Sequence, residues 1–162
     1  MNRLQQAAAT SVAAVLVFSL AGCGGDSKGE TEKDKDAKEG FSAAADLRTC
    51  SKNATAAPTP YGAGFPQHWP FPPQTTVFHI EDRGAAGTIA SGVTRTPFKQ
   101  VLAFMNKDVV GAGFKTESGE TEEHDAEAEW EGNGYRGRWA IRESGTCAGE
   151  TVVQVVSVRA AG

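Results

Sequence analysis

Cysteine has the most defined chemistry in this chain, and its number is odd: Cys23, Cys50 and Cys147. A disulfide consumes thiols in pairs, so one of the three has a different fate from the other two. Carboxylates are the second reactive set, since eight of the 15 residues from Glu117 to Glu131 are acidic. Hard cations such as calcium take oxygen ligands that converge from a loop with a sharp turn. The later acids of this run alternate along an expected strand, which leaves Glu117, Glu120, Glu122 and Glu123, around Gly119, as the set able to converge. An outward-facing ladder fits the spacing better, and no metal is expected.

The histidines, His68, His79 and His124, show no ligand spacing such as H-x-x-x-H or H-x-H, and no Cys/His cluster accompanies them. His79 and His124 both fall in expected strands, which leaves open a meeting in space. Nucleophilic catalysis finds no G-x-S-x-G elbow, and phosphate binding finds no G-x-x-x-x-G-K or G-x-G-x-x-G loop after a strand. No catalytic residue is therefore assigned. A small hydrolase acting on envelope material is the alternative, with the acids of 117–123 or His124 as its acid/base groups. A formal net charge of -4 and a pI near 5.4 argue against nucleic acid as a partner.

Residues 58–73 hold six of the seven prolines together with Tyr61, Phe65, Trp69 and Phe71. Proline fixes the backbone as extended and excludes helix or central strand. Such a stretch can offer aromatic faces to a glycan or peptide, which makes Tyr61, Phe65, His68, Trp69 and Phe71 the candidate binding residues. The same rings also suit an irregular arm that covers one end of a core. A small domain whose whole chain has 13 aromatics has more need of that second use.

The N-terminus carries Arg3, then an uncharged stretch from Ala7 to Gly22 that is too short and Ala-rich to span a bilayer. It ends in Leu20-Ala21-Gly22-Cys23, which resembles the lipobox of bacterial lipoproteins. That resemblance covers residues 1–23. It implies a signal peptide of residues 1–22, cleavage before Cys23 and a diacylglyceryl group on its thiol, with no other cofactor. A coincidental cysteine after an ordinary secretory signal is the alternative. The Ala/Gly-rich, Arg-over-Lys composition also resembles small lipoproteins of high-GC Gram-positive bacteria. Two or three acyl chains hold a soluble domain at a membrane almost permanently, because each buried CH2 contributes about 0.8 kcal/mol.

Lipidated Cys23 and residues 24–40 would then form a tether. The latter contain four Lys, six acids and no residue large and apolar enough to pack, so a flexible chain reaching about 20–25 Å is expected. Export places Cys50 and Cys147 in an oxidising setting, where a disulfide between them is expected, two buried free thiols being the alternative. Residues 41–162 form the folding unit, with 11 bases against 14 acids.

Within that unit the elements can be placed. Residues 75–81 and 88–94 are β-branched and aromatic runs flanking the breaker-rich 82–87, an expected hairpin. Thr96-Pro97 supplies an N-cap and a first-turn proline, followed by Phe98, Val101, Leu102, Met105 and Val109 at helical spacing, with Gly111 and Gly113 as stops. Residues 113–118 give a further strand. Residues 125–131 alternate acids with Ala and Trp, residues 136–142 alternate bases with apolar residues, and Asn133-Gly134 is the preferred pair for a type I′ turn. That turn sets Glu131 against Arg136, Glu129 against Arg138 and Asp125 against Arg142 on one face. The other face sets Trp130 against Gly137, Ala128 against Trp139 and Ala126 against Ile141. Residues 151–159 are too continuously apolar for a strand with one wet face and belong in the centre or under cover.

The expected order is β-β-α-β-β-β-β: an α+β domain with an antiparallel sheet of five to six strands, one main helix on one face and one disulfide. The expected function is a lipid-anchored protein on the extracytoplasmic face of the cell membrane, with a small non-catalytic domain that binds an envelope protein or cell-wall component. A passive subunit or spacer of an envelope complex is a further alternative.

Overall fold

A computed structural model of the chain describes residues 48–161. The expected signal peptide, Cys23, the expected tether and residues 41–47 lie outside the described residues. Six strands make one antiparallel sheet: β1 (Thr76–Asp82), β2 (Thr88–Thr94), β3 (Lys115–Thr121), β4 (Asp125–Gly132), β5 (Tyr135–Glu143) and β6 (Thr151–Arg159). Their spatial order is β1-β2-β6-β5-β4-β3. The continuously apolar β6 thus takes a central place between β2 and β5, where both of its edges are paired. The structure has the expected α+β class and order, with its one disulfide between Cys50 and Cys147, whose Cα atoms are 5.6 Å apart.

A single helical segment carries the chain from β2 to the far edge of the sheet. It begins as α1 (Phe98–Phe104) and widens into a π turn over Met105–Val109. Phe98, Val101, Met105 and Val109 are all buried, so the expected stripe faces the sheet. The helix start differs from expectation. Pro97 itself occupies the N-cap, and its carbonyl accepts from Gln100 and Val101 N–H groups at 2.9 and 3.1 Å. The Thr96 hydroxyl donates instead to the carbonyl of Pro73, at 2.9 Å, tying the arm to the helix entrance.

Gly113 adopts φ +90 after the helix, and β3 starts at Lys115. Asn133 and Gly134, with φ +53 and +79, form the β4–β5 turn. The register across that turn is the expected one at every pair: Glu131 against Arg136, Glu129 against Arg138, Asp125 against Arg142, Trp130 against Gly137. The ion pairing follows it only partly. Arg142 stands 3.7 Å from Asp125, whereas Arg138 pairs with the diagonal Glu127, both side chains being only 16% exposed. Glu129 accepts from the Ser118 hydroxyl at 3.3 Å. A long guanidinium reaches a diagonal carboxylate as readily as the one opposite, and the less exposed site strengthens the pair.

The core lies between α1 and the sheet. Trp130, Trp139, Ile141, Val153, Val155, Ala90, Ala126 and Ala128 point into it, with Phe114 from the loop before β3. Large residues meet small ones across neighbouring strands, which lets Trp130 and Trp139 pack without crowding.

Candidate functional site

The arm, residues 58–73, crosses the helix side of the sheet and enters the core. Its turns come from Gly62, at φ +86, and from short backbone bonds such as Phe65 N–H to Gly62 and Trp69 N–H to Pro66. The Thr59–Pro60 bond is cis. Phe65 and Trp69 point inward, at 1% and 6% exposure. Trp69 packs against Phe114 and Trp130 with ring centroids 4.8 and 4.5 Å away. Phe65 stacks on Phe71 at 6.1 Å, and Tyr61 sets its edge against both rings, at 5.5 and 6.2 Å.

Of the five candidate binding residues, two are therefore core, and three reach the surface. Tyr61 and Phe71 are half-buried and His68 is exposed. Burial pushes the Tyr61 phenol above its ordinary pKa of 10.0, so it stays a neutral donor and acceptor at physiological pH. The result is a small rim of aromatic edges and one imidazole, suited to stacking and neutral hydrogen bonds.

Two residues that composition did not single out hold this rim in place. Tyr135 and Arg159 face each other across β5 and β6, with the guanidinium 5.2 Å from the ring centre. Both donate to the carbonyl of Ala63: Arg159 through Nε at 3.1 Å and Tyr135 through its hydroxyl at 3.4 Å. The signal was the pairing of the start of β5 with the end of β6, which places an aromatic and a base beside the arm.

The remaining candidates stay apart. His79 is exposed on β1, at one edge of the sheet. His124 lies in the β3–β4 turn, not in a strand, so the two histidines sit toward opposite edges and form no joint site. His124 Nδ1 lies 2.9 Å from Glu143 Oε2, and its Nε2 lies 3.8 Å from Glu123. These are surface groups, with His124 64% and Glu143 50% exposed, so water levels their electrostatics.

Glu117, Glu120, Glu122 and Glu123 are all exposed. Among the described residues, one group of three potential ligand atoms falls within 4.8 Å of one another: Cys50, Cys147 and Glu150. Its sulfurs are spent in the disulfide, and Glu150 accepts the Ser51 N–H at 2.8 Å, which braces the bridge. Comparison with protein-family models, with curated proteins and with solved structures gives no match to this chain.

Proposed function

We propose that this protein is a lipid-anchored envelope protein whose small domain binds a partner through the rim of its Pro/aromatic arm. The observation that carries this reading is the bond between Cys50 and Cys147, which leaves Cys23 as the third cysteine, in Leu20-Ala21-Gly22-Cys23. A disulfide that closes a separation of 97 residues suits an oxidising compartment, and a lone cysteine after an apolar stretch and two small residues suits a lipid anchor. The half-buried rings of Tyr61 and Phe71 and the exposed imidazole of His68 offer the partly open aromatic surface and polar atoms that a glycan or an extended peptide of the cell wall requires.

The anchor is tested by fractionation and mass spectrometry. The wild-type chain should partition with membranes and yield an N-terminal Cys23 peptide carrying diacylglyceryl, while Cys23→Ala should appear in the soluble or secreted fraction. A Cys23→Ala protein that remains membrane-bound overturns the anchor. The binding rim is tested by crosslinking in intact cells. A captured partner that is lost with His68→Ala or Phe71→Ser supports the rim, and capture unaffected by either overturns it.

A further inference from the structure

Two turns meet at the disulfide. In one, Asn53 N–H donates to the carbonyl of Cys50 at 2.9 Å; in the other, Glu150 N–H donates to the carbonyl of Cys147 at 3.0 Å, with Gly149 between them at φ +76. The Ser144 hydroxyl accepts the Cys147 N–H at 3.0 Å, which steadies the second turn. Glu150 Oε2 accepts the Ser51 N–H at 2.8 Å, so a hydrogen bond joins the two turns beside the sulfur bond. The two Sγ atoms and a carboxylate oxygen of Glu150 lie within 4.8 Å of one another. A disulfide has no hydrogen to donate and no charge, so the bridge itself gives this carboxylate nothing to bind.

We propose that Cys50, Cys147 and Glu150 form a redox-gated site for a zinc-like divalent cation, closed while the disulfide stands and opened when a dithiol cleaves it. The donor set suits the cation: two thiolates and one carboxylate give three protein ligands and leave the fourth tetrahedral position to water. Sulfurs bound to one zinc at about 2.3 Å each are about 3.8 Å apart, a separation that side-chain rotation reaches from Cα atoms 5.6 Å apart. Cys147 is 7% exposed, whereas Cys50 and Glu150 are half-buried, so the cation enters from their side. Reduction leaves the frame in place, because the turn bonds and the Ser51–Glu150 bond contain no sulfur. Ser51 then orients the carboxylate through Oε2 while its other oxygen faces the cation.

The steps balance. The dithiol supplies two electrons and two protons, becomes a disulfide itself and leaves two thiols on the protein. Binding of the cation then expels both thiol protons, because the thiolate is the ligand.

The test uses the full chain carrying Cys23→Ala, in which Cys50 and Cys147 are the remaining thiols. The protein is reduced with dithiothreitol, desalted without oxygen and titrated with Zn2+ and, separately, with Co2+. One Zn2+ per chain should bind the reduced form and raise its melting temperature by about 5 °C or more, and the oxidised form should show neither effect. Co2+ should give a sulfur-to-metal charge-transfer band that Cys50→Ser abolishes. Glu150→Gln should weaken Zn2+ by at least about tenfold, the smallest loss usual for the groups that merely support a ligand. Absence of the charge-transfer band, equal affinity of the two redox forms, or Glu150→Gln binding as tightly as the parent overturns the proposal. So does a reduced chain that binds Zn2+ without native near-ultraviolet circular dichroism, because thiols of an unfolded chain then account for the binding.

Discussion

The backbone of Gly64 rests on the side chain of Thr88: a β-carbon at position 64 would stand 2.5 Å from Thr88 Oγ1 and 3.5 Å from its Cβ. Thr88 is 1% exposed and β-branched, so it has little freedom to retreat. Gly64→Ala must therefore lift the arm or shift β2, at a cost of about 1–3 kcal/mol. Urea melts of the variant should show that loss. Near-ultraviolet circular dichroism should also change, because the Phe65 and Trp69 rings move with the arm.

Trp69 and His68 are neighbours with opposite expected effects. Trp69 sits between Phe114 and Trp130, and removing its ring leaves a cavity, so Trp69→Ala should cost about 3–5 kcal/mol in denaturant unfolding. His68 is exposed, and His68→Ala should leave the midpoint within about 0.5 kcal/mol of wild type. A His68→Ala loss as large as that of Trp69→Ala would contradict the placement of the arm.

The disulfide closes a separation of 97 residues and so restricts the unfolded chain strongly. On the chain-entropy account it contributes about 4–5 kcal/mol. Unfolding with and without reductant, or of Cys50→Ser combined with Cys147→Ser, should show a loss of that order. Glu150 provides a smaller companion effect: Glu150→Gln weakens the charge-assisted acceptor for Ser51 N–H and should cost about 1 kcal/mol.

Alkaline pH should loosen the arm through Tyr61. Burial raises the folded-state pKa of its phenol above the ordinary 10.0 that it regains on unfolding. The unfolded chain therefore releases this proton first, and the stabilisation present below pH 10 declines as pH rises through that value toward the folded-state pKa. Thermal melts between pH 8 and 11 should fall more steeply for wild type than for Tyr61→Phe, which has no phenol to ionise. Equal slopes for the two proteins would remove Tyr61 as the cause.

Much of the sheet was legible because local chemistry and global packing agreed in the β4–β5 hairpin. Asn133-Gly134 fixes the turn, and alternation then places every pair, with Trp130 over Gly137 and acids beside bases. The central place of β6 was legible from its unbroken apolar run. Irregularities were not. The register shifts between Val77 and His79 and between Thr116 and Gly119 each depend on how an edge strand fits its neighbour, which no local pattern encodes. The π turn at Met105–Val109 keeps Met105 and Val109 on the sheet side, again a demand of packing. In the arm, composition gave the aromatics but not their direction. Phe65 and Trp69 turn inward because Gly62 bends the chain and Ala63 is held by Tyr135 and Arg159, residues more than 70 positions away.

The strand order has a consequence for assembly in time. A chain that emerges from its N-terminal side presents β1–β2 as one hairpin and β3–β4–β5 as a meander, with β2 and β5 each ending in an unpaired edge. Among the described strands β6 alone is paired with both, with β5 from Thr151 to Arg159 and with β2 from Thr151 to Ser157. It acts as a keystone: without Thr151–Arg159, β2 and β5 are not neighbours in the sheet of the described residues. The sheet is thereby completed when β6 joins two edges that would otherwise stand unpaired, and unpaired strand edges are templates for association with other chains.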